Sequence, residues 1–331
     1  MWIGGDVAVK HHVGELIRRK RKELGLTLQD LAGPDLSVPT ISNIERGITR
    51  NVSQEKLDYL LNKLGLSLSE LTVVEQEETE LEDLFEIKSD QINSLILNGC
   101  YDEADDRLKL LEREGKRKGH PVHTCKLMFF RGKNLMYQKK YDRAEWEFQH
   151  VIRRCEEMDI PAETNLVSET YGNLGYIAFY QNNFKAAIRY TKHALKTFQT
   201  KGDKPYLKGR QLHNLALYYE RLGKANEAYG LVSEAMTIAK ENHDYYSLIS
   251  VYILKAIIQQ NYYSVSDAIE TLKEAQKILH LTNDAKLTSI LWNNLGENYF
   301  LQENYDMAEL CFKTSVSIKR KHLDDEFLIR S

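Results

Sequence analysis

Residues Glu169–Ala194 read ETYGNLGYIAFYQNNFKAAIRYTKHA, and the chain from about residue 91 onward is this unit written six times with variation. The anchor is Gly175, followed twelve residues later by a second small residue, Ala187. The same pair recurs as Gly132/Ala144, Ala216/Ala228, Ala256/Ala268 and Gly296/Ala308, with Ile92/Ala104 as a degenerate first copy. The alanines at 104, 144, 187, 228, 268 and 308 fall 40, 43, 41, 40 and 40 residues apart. A period so regular, within the range of about 20–50 residues, means stacked supersecondary units.

Each unit reads as two helices. Tyr171, Leu174, Ile177 and Ala178 recur at three- and four-residue spacing, Asn182–Asn183 breaks the pattern, and Phe184, Ala187, Ile188, Ala194 and Leu195 resume it. Small residues at the paired positions let two antiparallel helices approach closely. The repeated hairpin resembles the tetratricopeptide repeat. Trp292, Leu295, Gly296, Tyr299, Ala308 and Phe312 carry that resemblance best. The period is longer than that family's usual one, so longer helices are expected.

The 331 residues are 42% hydrophobic, enough for more than one core. Five prolines, 28% charged residues and no β-type alternation favour a helical, water-soluble protein. No run of about 18 apolar residues exists. The start MWIGGDVAVKHH lacks a signal-peptide core. Cytoplasmic residence and no membrane partner are expected. Cys100, Cys125, Cys155 and Cys311 form no CxxC pair and read as reduced helix-packing residues. The ten histidines form no metal cluster, and no phosphate-binding, dinucleotide or nucleophile-elbow motif occurs. No catalytic residue, cofactor or metal is expected. The net charge of −3 hides segregation: Arg18–Lys22 is a basic run, whereas residues 75–90 hold eight acids against Lys88 alone.

The N-terminal part reads as five helices. Leu16, Ile17 and Leu24 give one apolar face, ended by Gly25; Thr27 caps a second helix with Leu28, Leu31 and Ala32. Gly33–Pro34–Asp35 is a turn, and Ser37 caps a third helix from Val38 to Arg46, with Pro39 in its first turn and Gly47 closing it. Two further short helices are separated by Gly65, with Ser67 as the last cap. LGLT, LA, ISNIERG and LNKLGLS together resemble the phage-repressor/XRE helix-turn-helix family.

That resemblance implies that Val38–Arg46 is the recognition helix, with Ser37, Val38, Pro39, Thr40 and Asn43 facing base edges of double-stranded DNA. Gln29 would position the backbone and Arg46 would contact a phosphate. Ile41 and Ile44 read as core, and Arg21 and Glu45 match a pair that is an internal ion pair in the family. Arg18, Arg19, Lys20 and Lys22 are either a solvated face or a phosphate-attracting one.

Four residues separate Ala32 from Ser37, one fewer than the common repressor turn. The shortened turn, followed by repeats with a period near 40, resembles the Gram-positive peptide-pheromone regulators of the Rap/Rgg/NprR/PlcR/PrgX type over nearly the whole chain. The expected fold is all-α: a flexible tail (1–11), a five-helix domain (12–71), an acidic connector (72–90), a superhelical array of about six tetratricopeptide-like hairpins (91–322) and a C-terminal tail (323–331), in which Phe327–Leu328–Ile329 could cap the last repeat.

In such an array the first helices line the concave wall. Asn recurs two residues before the anchor at Asn173, Asn214 and Asn294, and an amide offers both donor and acceptor to an extended peptide backbone. The alternative is a bond between neighbouring helices. Helical geometry adds Phe129, Lys133, Met136 and Tyr137, then Tyr176, Phe179 and Tyr180, then His213, Leu217, Glu220 and Arg221, and last Asn293, Glu297 and Phe300. Lys126 and Arg210 lie one turn further up. Such a wall suits a short signalling peptide with apolar side chains and a carboxylate, although each aromatic alone also fits interhelical packing.

The leading expectation is a homodimeric DNA-binding regulator controlled by that peptide. The alternatives are an adaptor docking a protein partner such as a response regulator, and a ligand-free dimeric repressor.

Overall fold

Thr27 and Ser37 fix where two helices begin, because each hydroxyl takes a backbone N–H that the first turn leaves without a partner. Thr27 accepts from Asp30 N at 3.3 Å while its own N–H donates to the Asp30 carboxylate at 2.7 Å, a reciprocal cap. Ser37 accepts from Thr40 N at 3.4 Å. A computed structural model describes residues 6–8, 11–46, 49, 51–115 and 120–322. These fall into two units, Met1–Gln91 and Ile92–Ser331.

The first unit contains α1 (His11–Glu23), α2 (Leu28–Leu31), α3 (Val38–Glu45), α4 (Gln54–Leu64) and most of α5 (Leu68–Leu97). Its core is built from Val13, Ile17, Leu31, Leu36, Ile41, Ile44, Leu57, Leu60 and Leu64, so Ile41 and Ile44 are core as expected. Leu24, read as part of the apolar face of α1, is instead exposed. It lies just past the last turn, where Gly25 at φ 70° bends the chain away. Helices α1 and α3 approach so closely at Gly14 that a Cβ there would lie 2.2 Å from the Ile44 carbonyl oxygen.

Two features of the described residues differ from the expectation. Asp6–Ala8, placed in a flexible tail, forms strand β1 and pairs antiparallel with β2 (Asn51–Ser53), a small ribbon on an otherwise helical unit. The last helix is not short: α5 has 30 residues, and residues 72–90 lie within it. Glu, Gln, Leu and Asp in that stretch include strong helix formers and no Gly or Pro, so charge alone does not unwind it. Gly47 and residues 323–331, Phe327–Leu328–Ile329 among them, lie outside the described residues.

The second unit is the repeat array. The end of α5 leads into α6 (Tyr101–Gly115), which packs on α7 (Pro121–Tyr137); α7 then pairs with α8 (Tyr141–Glu157), α9 (Leu166–Tyr180) with α10 (Phe184–Thr197), α11 (Leu207–Arg221) with α12 (Ala225–Glu241), α13 (Tyr245–Tyr262) with α14 (Val265–Ile278), and α15 (Ala285–Leu301) with α16 (Tyr305–His322). All six alanines of the period are buried. The glycine at the anchor is needed for close approach: a Cβ on Gly296 would lie 2.7 Å from the Phe312 ring. Helix α7 also packs on α9, α9 on α11, α11 on α13 and α13 on α15, so the first helices form a continuous inner wall. Five turns inside the hairpins use a left-handed residue at matching positions, Gly99, Lys139, Asn182, Gly223 and Glu303.

Cys125, Cys155 and Cys311 are buried between helices, but Cys100 is exposed beside the start of α6. Among the described residues no helix is long and apolar enough to cross a membrane, and no group of His, Cys, Asp and Glu is arranged to hold a metal ion.

Candidate functional site

In the first unit, the buried Ile41 and Ile44 turn the opposite side of α3 outward. Ser37 and Pro39 are exposed and Val38, Thr40 and Asn43 half-buried. Ser37 Oγ and Thr40 Oγ1 are hydrogen-bonded at 2.8 Å. Arg46, which caps the helix C-terminus, donates from Nη2 to Asn43 Oδ1 at 2.8 Å and from Nε to Ser42 O at 3.2 Å. Gln29 is exposed on α2. Every residue read as facing DNA therefore sits on or beside one partly open helix face, held by hydrogen bonds that a nucleic acid could exchange. The preceding turn is fixed: Gly33 and Leu36 exchange both backbone hydrogen bonds at 3.1 Å, and Tyr59 Oη donates to Ala32 O at 3.1 Å.

Arg21 is not part of that face. Its guanidinium donates to both Glu45 carboxylate oxygens, at 2.6 and 2.9 Å, and to Leu26 O at 2.9 Å. The rest of the basic run is solvated: Arg18, Arg19 and Lys22 are exposed, and Arg19 and Lys20 lie 3.9 and 3.5 Å from Glu23.

In the second unit the first helices bring Lys133 and Tyr137 of α7 near Glu169, Tyr176 and Tyr180 of α9, Arg210 of α11 and Tyr246 of α13, while Asn173 lies on α9 and His213 and Asn214 on α11. Tyr137, Tyr176, Tyr180 and Tyr246 are all more than a third exposed. The rings of Tyr176 and Tyr180 lie 4.6 Å apart. Burial and the neighbouring hydroxyl of Tyr180 hold the Tyr176 phenol protonated well above its usual range. Tyr137 is raised by burial and then by Tyr246, which stands three first helices along the stack.

The cations are differently partnered. Lys204 Nζ lies 2.6 Å from Glu169 Oε2, and Arg210 donates to Asp244 Oδ2 at 3.1 Å while lying 4.5 Å from the Tyr206 ring. Lys133 Nζ donates to the neutral Asn93 Oδ1 at 2.7 Å, with no carboxylate at ion-pair distance among the described residues. Burial depresses its pKa, the nearby charge of Glu169 opposes that, and Lys204 and Arg210 reinforce it. His213 is depressed by burial, although Asn214 Oδ1 lies 3.3 Å from its Nδ1.

The asparagine register splits. Asn173 Nδ2 is buried with no hydrogen-bond partner, a state that normally costs about 1–3 kcal/mol. Asn294 is buried, 8% exposed, and its amide donates to Ile290 O at 2.8 Å within its own helix, so it is not on the open wall. Phe129 and Met136 are likewise core, and Phe179 stacks on buried Tyr218 at 5.0 Å. Helical spacing alone does not separate a wall residue from one wedged between adjacent hairpins. Arg221 lies at the end of α11, 3.8 Å from Glu220, away from the Lys133–Arg210 charge group. Lys126 is half-buried one turn before Phe130 on α7.

The sequence reading missed Asn93, Glu169, Tyr206, Asp244 and Tyr246. Glu169 shares the register of Lys126 and Arg210, six residues before the anchor, and Tyr206 and Tyr246 both stand ten before it. Extending the periodic register by one more turn finds three of the five.

An open helix face on a five-helix N-terminal domain and a polar, aromatic wall in a helical repeat array define a two-part helical repeat protein. A helix-turn-helix family profile matches residues 17–71, and a tetratricopeptide-repeat profile matches residues 168–199 and 290–322. Transcriptional activator NprA of Geobacillus stearothermophilus is 26% identical over 150 residues, 45% of this chain and 37% of that protein. Regulatory protein RapD of Bacillus subtilis is 23% identical over 190 residues, 56% of this chain and 50% of that protein. The chain thus matches half or less of the length of these curated relatives. Bacillus thuringiensis PlcR, solved in complex with the peptide PapR7 and DNA, is similar in fold, with a TM-score of 0.53, 15% identity, and coverage of 89% of this chain and 99% of that one. The similarity to PlcR, at that identity, is one of fold.

Proposed function

We propose that the chain is a transcription regulator that binds promoter DNA through α3, and that a short signalling peptide on the repeat wall controls this binding. Residues Gln29, Ser37, Val38, Pro39, Thr40, Asn43 and Arg46 meet the DNA. Lys133, Tyr137, Tyr176, Tyr180, Arg210, Asn173 and Asn214 meet the peptide, with Lys126 and Arg221 toward its edges. The observation that carries the reading is the set of exposed tyrosines, Tyr137, Tyr176, Tyr180 and Tyr246, with the Lys133 ammonium among them, since together they offer apolar contact and charge to an extended peptide; the Asn173 amide, one turn before Tyr176, adds a donor once its side chain turns outward. A complex of PlcR with peptide and DNA lends support by analogy of fold.

The regulator acts inside the cell as a homodimer, so operator half-sites are spaced by about 34 Å or a multiple. A peptide shifts DNA affinity only if it binds two arrangements of the protein unequally. Fluorescence anisotropy of the full chain on DNA from upstream of its own gene tests this. Synthetic peptides encoded by small neighbouring reading frames are expected to change the affinity. Salt-sensitive DNA binding that no such peptide alters would overturn the peptide reading. A second reading, an adaptor whose wall docks a protein partner, is favoured by the similarity to RapD across 56% of the chain.

A further inference from the structure

We propose that Lys133 is the floor of an anion subsite on the repeat wall, taking a carboxylate carried by the bound ligand. This deepens the peptide reading and rests on it for the ligand's wider identity.

The charges around the subsite do not balance locally. Three cations, Lys133, Lys204 and Arg210, face two carboxylates, Glu169 and Asp244. Glu169 is engaged by Lys204 at 2.6 Å and Asp244 by Arg210 at 3.1 Å. The excess charge therefore falls on Lys133, which among the described residues has a neutral amide oxygen and no carboxylate as its hydrogen-bond partner.

A partly buried ammonium without a counter-ion is costly, and an apolar side chain of similar length would pack there without that cost. A purely structural role does not account for it, whereas an incoming carboxylate supplies both the missing charge and the second acceptor. Lys133 and Tyr176 occupy the same register in successive repeats, one residue after the anchor, and Tyr137 and Tyr180 share the position five after. An aromatic surface thus flanks the ammonium, which selects a carboxylate next to an apolar group. That carboxylate is either a free C-terminus or an acidic side chain.

Three probes separate these sources by ligand-observed NMR titration of the full chain without DNA: N-acetyl-phenylalanine, with a terminal carboxylate; N-acetyl-aspartyl-phenylalaninamide, with a side-chain carboxylate; and N-acetyl-phenylalaninamide, with neither. At least one acidic probe is expected to bind about tenfold or more tightly than the neutral one, and the tighter of the two identifies the source. Lys133→Met should abolish that preference and Lys133→Arg should keep it. Equal binding of all three, no binding of any, or a preference that survives Lys133→Met would overturn the subsite, and the comparison on the native chain needs no variant. A charge preference that persists while no peptide alters DNA affinity would remove the regulatory reading and leave the subsite.

Discussion

Arg21 of α1 and Glu45 of α3 meet side by side, two nitrogens on two oxygens at 2.6 and 2.9 Å, with Glu45 only 5% exposed. The pair locks α1 to α3, across the same approach that Gly14 keeps open. Burial disfavours the guanidinium charge, but the Glu45 hydrogen bond is the larger influence and raises the Arg21 pKa.

Breaking the pair on one side leaves a buried charge unmatched, which costs about 3–5 kcal/mol, whereas replacing both members by apolar residues is close to neutral. Glu45→Ala should therefore destabilise the helix-turn-helix unit strongly, and Arg21→Met with Glu45→Met should recover most of the loss. Urea unfolding of the two singles and the double gives the coupling directly. Additive losses would mean that the pair is solvent-screened in solution.

On the DNA side, Asn43 and Arg46 are bonded to each other but are expected to behave differently. Asn43→Ala should cost about 1–3 kcal/mol on the preferred sequence and relax specificity at one base pair. Arg46→Ala should weaken binding evenly across sequences and reduce the salt slope by about one. Selection from a random DNA pool, followed by salt titration of the winner, separates the two. A uniform loss from Asn43→Ala would remove it from base recognition.

The periodic anchors made the six hairpins legible because small residues at a fixed spacing have one common cause, helix approach. The capping residues Thr27 and Ser37 and the core pair Ile41 and Ile44 were equally readable, since each depends on a few neighbours. The length of α5 was not, because an acidic run reads as solvated whether or not its backbone is helical. The wall was read in part. Tyr137, Tyr176 and Tyr180 follow from register, but Asn294 shares the register of Asn173 and is buried. What decides between them is the packing of the next hairpin, which no single repeat encodes. Lys204, lying between α10 and α11, belongs to no helical register at all.

Lys133 links the wall to stability. Its depressed pKa means that the unfolded chain, with a pKa of about 10.4, binds a proton that the folded chain has begun to release. The lysine therefore destabilises the fold below its folded pKa, and this penalty is relieved as pH rises from there toward the unfolded value. The charged groups acting on it are Glu169 of α9, Lys204 of the α10–α11 connection and Arg210 of α11; Arg131 beside it on α7 is paired with Glu112 of α6. Lys133→Met should raise the unfolding midpoint by a few degrees near neutral pH, roughly 1 kcal/mol or more, and the gain should shrink toward about pH 10. Tyr137, Tyr176 and Tyr246, whose pKa values are raised, contribute stability that is lost at alkaline pH, so the difference between native chain and variant isolates the lysine. A gain that does not vary with pH would show that its origin is packing.

Asn173 and Asn294 occupy one register and should separate cleanly on substitution. Asn173→Ala removes a buried donor that has no partner in the free protein, so stability should stay level or rise. If that donor exists to meet a peptide carbonyl, the same change should abolish the peptide's effect on DNA affinity. Asn294→Ala instead deletes the hydrogen bond to Ile290 O and opens a small void, and should cost about 1 kcal/mol while leaving the peptide response intact. Asn214→Ala, whose acceptor lies 3.3 Å from His213, should follow Asn173 in response. Thermal unfolding and peptide-dependent anisotropy on the three variants form one experiment. An Asn173→Ala protein that is destabilised yet still responds would place that side chain in the interhelical packing and remove it from the groove.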